Sequence, residues 1–262
     1  MDLGLQGKVV LVTGSHRGTG EVMARCFHRE GARVIAHGLE EHSANHLVDS
    51  GGASEAVWGD IRADAGADQV VAQLLDKTAT IDVLVNNYGT AESGNWSTAS
   101  SDDWVDLYQK NVLSATRLIQ RLMPYLKAST AGRIIQLGTI GSIRPNSRMP
   151  HYYAAKGALA NITVSLAKEL TGTGITVNTV SPGLIRTPEI EAAFLKKGKR
   201  KGWGDSWQDV EPHLVREQFP NPMERVATRE EVADLVCFIA SGRAGFINGQ
   251  NIRIDGGAVD IV

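Results

Sequence analysis

Lys8-Val9-Val10-Leu11-Val12, followed at once by Thr13-Gly14-Ser15-His16-Arg17-Gly18-Thr19-Gly20, is the stretch that decides the fold. The first five residues are a continuous, largely β-branched apolar run, the pattern of a strand covered on both faces. From residue 18 the periodicity turns helical as far as residue 30, and Gly31 closes the helix. The glycines between them let the chain turn sharply and bring bare backbone N–H groups close to a pyrophosphate. The helix N-terminus adds a favourable dipole. A chain with 28 glycines produces such spacings by chance. The position between a buried strand and a helix is what makes the stretch a dinucleotide-binding candidate.

Outward from this unit the alternation continues. Strands are expected at 33–37, 54–58, 81–85, 133–137, 174–180 and 251–254, and helices over 41–49, 64–78, 101–127, 152–170 and 228–240. Apolar strands alternating with helices specify a parallel sheet with helices on both faces. Seven strands without a linker or repeat predict one α/β domain over 1–262, a Rossmann-type doubly wound sheet. Between residues 187 and 225 the pattern lapses into Lys196-Lys197-Gly198-Lys199-Arg200-Lys201-Gly202-Trp203-Gly204 and a Pro-rich exit at Pro220 and Pro222. An insertion this long inside a domain predicts a substrate lid at about 188–225.

Composition narrows the function classes. Of 262 residues 42% are hydrophobic, and 27 Lys and Arg against 29 Asp and Glu leave a net charge of −2. A protein that coats nucleic acid or a membrane surface would carry a basic excess. No apolar run approaches the roughly 20 residues of a membrane-spanning helix. The opening Met1-Asp2-Leu3-Gly4-Leu5 shows no basic or apolar leader pattern, so a reduced, cytoplasmic setting is expected. Cys26 and Cys237 lie in apolar helical patterns and read as small buried hydrophobes, not as a disulfide or metal site.

Tyr152-Tyr153-Ala154-Ala155-Lys156 opens a predicted helix, and Tyr152 and Lys156 stand one turn apart on the same face. A phenol titrates near 10 and is a poor acid or base at neutral pH. A neighbouring ammonium stabilises the phenolate and brings that value down. Taken alone, such a pair is an ordinary surface Tyr–Lys contact. The glycine spacing GxxxGxG after Thr13, together with this pair, resembles the short-chain dehydrogenase/reductase family.

That resemblance extends from Gly7 to Gly257 through six ordered motifs. The family places a hydroxyl residue 13 positions before its catalytic Tyr. Counting from Tyr152 reaches Thr139, whereas counting from Tyr153 reaches Ile140, so Tyr152 is selected as the acid/base. Thr139 stands where Ser is usual and keeps the O–H donor, with a methyl that restricts χ1. Ser142 ranks below it as an alternative hydroxyl. Lys156 is implied to hold the nicotinamide ribose, and Asn111 to interrupt its helix and support a proton relay. Asn86-Asn87-Tyr88-Gly89 matches the ribose-side segment, with Tyr88 in place of a small residue and its direction left open. Asp60-Ile61 resembles the adenine-binding pair. Ser181-Pro182-Gly183-Leu184-Ile185-Arg186-Thr187 matches the segment that orients the nicotinamide, through Pro182, Gly183, Ile185 and Thr187. Gly249-Gln250 and Asp255-Gly256-Gly257 match the closing strand and turn.

The resemblance implies an alcohol–carbonyl oxidoreductase acting on a small molecule, and a homotetramer built on helices 101–127 and 152–170. NADP is favoured over NAD. The position of the NAD-selecting carboxylate is Gly38, and Arg17 matches the residue that pairs a 2′-phosphate. Glu40 and Leu39 argue the other way. In the lid, Trp203, Trp207 and Phe219 either close over a substrate or pack the lid, while the 196–201 cations either meet an anionic carrier or face solvent. Arg144, Met149 and His151 border the expected pocket. The alternatives are a 3-oxoacyl-thioester reductase and a non-catalytic dinucleotide-binding regulator.

Overall fold

Strand and helix alternate through residues 2–261, the residues that the computed structural model describes. The chain runs β1 (Val9–Val12), α1 (Gly18–Arg29), β2 (Arg33–Gly38), α2 (Asn45–Asp49), β3 (Glu55–Trp58), α3 (Asp64–Leu75) and β4 (Val83–Asn86). It continues with α4 (Ser101–Tyr108), a π-helical turn (Gln109–Leu113), α5 (Ser114–Ala128), β5 (Arg133–Leu137) and α6 (Pro150–Glu169). Then follow β6 (Thr176–Pro182), α7 (Pro188–Lys201), α8 (Trp207–Glu217), α9 (Arg229–Ala240) and β7 (Asn251–Ile254). The seven strands form one parallel sheet in the order β3-β2-β1-β4-β5-β6-β7.

Both faces of the sheet are covered, which is why β1 and the first three residues of β4 read as unbroken apolar runs. Val10, Val12 and Val34 point to the side of α1 and α9, where Met23, Phe27, Val232 and Val236 meet them. Leu11, Ile35, Leu84 and Ile134 point to the other side, against Val70, Leu74, Leu118 and Leu122. Each such Leu or Ile is fully buried, worth about 1.5–3 kcal/mol relative to exposure. The strand order reverses between β1 and β4. Loops leaving the carboxyl ends of adjacent strands diverge at such a point and leave a crevice for a ligand.

Three local expectations are revised. The helix expected over 41–49 is helical only at Asn45–Asp49, because His42 takes a left-handed φ of 61° and the Ser43 hydroxyl donates to the Glu40 carbonyl at 2.7 Å. The helix expected over 101–127 carries the five-residue π turn at its centre. The 188–225 segment is a helical hairpin for most of its length. Its charged outer face hides the pattern, and one of its three glycines has a packing role: a Cβ on Gly198 would run into Val210. Thr187 caps α7 through its bond from Ile190 N, and Ser206 with Asp209 forms a capping box on α8.

Candidate active site

The crevice is a cleft of about 1230 Å³ lined by the glycine-rich turn, the ends of β4, β5 and β6, the start of α6 and the 188–225 segment. Gly14 and Gly18 take φ of 60° and 63°. A Cβ on Gly14 would lie 3.1 Å from the Tyr88 Cα, and one on Gly20 would collide with the Asn87 amide. The turn is thus drawn tight against the segment after β4. Asn87 Nδ2 seals that contact, donating to the carbonyls of Thr13 and Gly14 at 2.8 and 3.2 Å. The N-terminus of α1 has no side-chain cap, so its first N–H groups are available to an anion. These features fit a dinucleotide pyrophosphate.

At the other end of the cleft, Tyr152, Thr139 and Lys156 converge. Tyr152 and Lys156 share one face of α6, with Nζ 6.0 Å from the Tyr152 ring centroid. The Lys156 ammonium donates to the Leu137 carbonyl at 2.8 Å. Burial pushes its pKa down to about 8 and pushes that of Tyr152 up, with Tyr153 adding to the rise. Within the protein alone the phenol is therefore held neutral, in contrast to the lowering expected from the Tyr–Lys spacing. The reason is geometric: the ammonium is spent on a backbone carbonyl and the phenol is desolvated.

Tyr153 is occupied elsewhere. Its hydroxyl accepts from Asn146 Nδ2 at 2.9 Å, and its ring fills the space beside Gly141. Among the described residues the Tyr152 hydroxyl has no such partner. Thr139 Oγ1 accepts from Gly141 N at 3.2 Å while keeping its proton to donate. Ser142 donates to the Thr139 carbonyl at 2.7 Å and does not line the cleft.

Asn111 sits in the π turn, 1% exposed. Its Nδ2 donates to the carbonyls of Thr90 and Leu107 at 2.9 and 3.0 Å, and its Oδ1 accepts from Thr90 N at 3.2 Å. It lies behind the cleft wall rather than in it. Gly89 is the wall: a Cβ there would stand 2.5 Å from Asn111 Oδ1 and 3.0 Å from Lys156 Nζ.

Of the remaining expected contacts, His16, Arg17, Thr19, Asn87, Tyr88, Pro182, Gly183, Ile185 and Thr187 line the cleft, and Ser15, Asp60 and Ile61 do not. Ser15 is fully buried and accepts from His37 N. Ile61 belongs to the core, and Asp60 folds back on Arg62 in a two-point pair at 2.8 and 2.7 Å. The Tyr88 pKa is raised by burial, and the charges acting on its hydroxyl are Arg62, Asp60, Lys110 and Asp106. Its ring packs against the core cluster that contains Ile61 and Leu118 and lies beside Gly14. Arg17 is exposed and stands 4.0 Å from Glu189 of α7.

The aromatics of the 188–225 segment divide. Phe219 lines the cleft and meets Phe194 edge-on at 6.1 Å. Trp207 is buried in the lid core beneath Arg186, and Trp203 stacks on His213 at 5.2 Å. Sequence reading missed Ile190 and Phe194, both cleft-lining. Their four-residue spacing on one face of α7 was the available signal. Three of the basic lid residues are engaged internally: Lys197 with Gln218 at 2.5 Å, Lys199 with Asp205 at 3.4 Å and Lys201 with Glu217 at 3.2 Å.

Comparison with known proteins gives a consistent picture. A family model described as enoyl-(acyl carrier protein) reductase matches residues 14–259. The oxidoreductase YvaG of Bacillus subtilis is 34% identical over 262 residues, covering 99% of this chain and 98% of that one. The 3-oxoacyl-[acyl-carrier-protein] reductase FabG of Salmonella typhimurium is 30% identical over 256 residues, covering 97% and 98%. Among solved structures, L-sorbose reductase from Gluconobacter frateurii, complexed with NADPH and L-sorbose, superposes with a TM-score of 0.91 at 30% identity, covering both chains fully.

Proposed function

The chain belongs to the short-chain dehydrogenase/reductase family, and on that premise we propose that it is an NADP(H)-preferring reductase of small ketones with Tyr152 as its acid/base. As a member of that family it is an oxidoreductase that interconverts an alcohol and a carbonyl compound with a nicotinamide dinucleotide. The observation that carries the residue assignment is the convergence of Tyr152, Thr139 and Lys156 at one end of a cleft whose other end is the glycine-rich turn.

A bound nicotinamide would supply a hydride to the carbonyl carbon in its reduced form, and in its oxidised form would accept one from the alcohol carbon. The turn at Gly14, Arg17, Gly18, Thr19 and Gly20 would hold its pyrophosphate, with Asn87 and Gly89 alongside. Pro182, Gly183, Ile185 and Thr187 would border the nicotinamide end. The protein's own part is proton management. The Tyr152 hydroxyl gives its proton to the substrate oxygen in reduction and takes it back in oxidation. The Thr139 hydroxyl donates to the same oxygen and fixes its place. Lys156 brings positive charge beside the phenol. Asn111 keeps the 89–90 segment in register with Lys156.

Preference for NADP(H) is supported by Arg17 at the cleft and by Gly38, where a selecting carboxylate would stand. The NADPH complex of the sorbose reductase agrees. The paired lid cations favour a small ketone over a carrier-bound thioester. A homotetramer is supported by exposed Val105 and Tyr108 on α4 and Val164 on α6. None of the described helices is long and apolar enough to cross a membrane, and a cytoplasmic location accords with the free cysteines Cys26 and Cys237.

A panel of sugars, cyclic and aliphatic ketones and a 3-oxoacyl thioester, followed by nicotinamide absorbance with NADPH and NADH, tests the proposal. Turnover of small ketones with NADPH is expected. Exclusive activity on the thioester would overturn the substrate class.

A further inference from the structure

His37, the fifth residue of β2, has no exposed surface and takes no part in the proton chemistry above. Both of its ring nitrogens are committed to backbone groups. The Gly14 amide donates to Nδ1 at 3.0 Å, and Nε2 lies 3.0 Å from the Gly59 carbonyl oxygen. An amide only donates and a carbonyl only accepts, so the tautomer follows: the lone pair is on Nδ1 and the proton on Nε2. The main chain of the same residue clasps the next position. His37 N donates to Ser15 Oγ, and Ser15 N donates to the His37 carbonyl, each at 2.9 Å. One residue thus fixes Gly14 and Ser15 of the glycine-rich turn while holding Gly59, immediately before Asp60.

An aliphatic side chain of similar size would fill the volume but leave the Gly14 amide and Gly59 carbonyl buried without partners. On the reading that the cleft holds a dinucleotide, we propose that His37 is a positioning residue for its adenosine half. As the neutral Nε2–H tautomer it sets the Gly14–Ser15 turn from one nitrogen and the Gly59–Asp60 segment from the other. Affinity then depends on an acceptor beneath Gly14 and not merely on a filled core.

Protonation would turn Nδ1 into a second donor facing the Gly14 N–H. Burial opposes that most strongly and holds the ring's pKa at about 4, with His16 from the turn opposing it too; the Gly59 carbonyl and Asp60 pull the other way. Arg17, His46 and Glu40 act in turn on His16.

The test compares His37→Asn, His37→Gln and His37→Leu. Asn places an acceptor near the Nδ1 position, while Gln reaches toward Gly59 and leaves Gly14 without one. NADPH dissociation constants from nicotinamide fluorescence are read beside kcat at saturating NADPH. The Asn variant is expected to bind within about threefold of the parent, and Gln and Leu about tenfold or more weaker, with kcat changed less than about twofold. Equal affinity for Asn and Gln variants, or a loss confined to kcat, overturns the proposal. Nitrogen-15 shifts of the parent's ring give a second reading that needs no variant. A proton on Nδ1, or a charged ring at pH 6, overturns it as well. Failure of the parent itself to bind any dinucleotide would instead remove the reading on which this one rests.

Discussion

Lys156 Nζ donates to the carbonyl of Leu137, two residues before Thr139, and the backbone of Gly89 lies directly against both Lys156 and Asn111. The ammonium therefore braces the strand end that carries the hydroxyl and is itself walled in by a residue with no side chain. The proposed acid/base geometry thus rests on a close approach that only glycine permits.

Gly89→Ala would place a methyl 2.5 Å from Asn111 Oδ1 and 3.0 Å from Lys156 Nζ. Displacing a catalytic group by an ångström costs about 10²-fold in rate. A loss of that order in kcat, with a circular dichroism spectrum like the parent's, is the expected result; near-full activity would mean that Lys156 is not held where turnover needs it.

Tyr152→Phe removes the proton donor and is expected to lower kcat by about 10³-fold or more while leaving NADPH affinity close to the parent's. Tyr153→Phe loses only the bond from Asn146 and should retain most of its activity. Comparable losses in the two variants would take the acid/base role away from Tyr152.

Thr139→Ser keeps the donor and relieves the crowding of the methyl, so its rate should equal or exceed the parent's. Thr139→Ala should fall by about 10²-fold, as for removal of an oxyanion donor. If Ser142 could substitute, the Ala variant would stay active; its hydroxyl is already given to the Thr139 carbonyl.

Arg17 is exposed, and its only acidic neighbour in ion-pair range among the described residues is Glu189 at 4.0 Å, a contact of little energetic weight in water. Arg17→Ala should therefore leave the fold intact while raising KM for NADPH about tenfold and that for NADH hardly at all. Equal changes for the two cofactors would reverse the proposed preference.

Acid should loosen the molecule through His37. Its ordinary value is 6.5 and the fold holds it near 4, so between those values the unfolded chain takes up a proton that the folded one refuses. The stability gained from keeping this ring neutral is whole above pH 6.5 and is lost as the pH falls toward 4, about 3 kcal/mol in all. Urea midpoints at pH 7 and pH 4.5 check this. The difference should shrink in His37→Asn, and an unchanged difference would mean that other groups govern the acid limb.

The sheet was legible because strands buried on both faces favour apolar residues throughout, and 8–12 and 81–85 each carry a single charged residue. The convergence of Tyr152, Lys156 and Thr139 in one cleft was legible because the first two stand one helical turn apart and the family resemblance places a hydroxyl 13 residues before the Tyr. Asp60 and Ile61 were assigned by position alone, and a local pair with Arg62 and a core contact take them out of the cleft. The lid hairpin was obscured because its inner face is short and its lysines dominate the count. The direction of the Tyr152 shift was misjudged for a different reason: spacing reports that a cation is near, but not which oxygen it already serves or how little water reaches the phenol.

The π turn at 109–113 makes the segment from 101 to 128 one amino acid longer than a regular helix of the same reach. Excising a single position there would let α4 and α5 fuse into one uninterrupted rod, with every main-chain amide in ordinary register. The surplus residue lies in the turn from which Asn111 grips the loop after β4, so the two helices would gain regularity only where that grip is made.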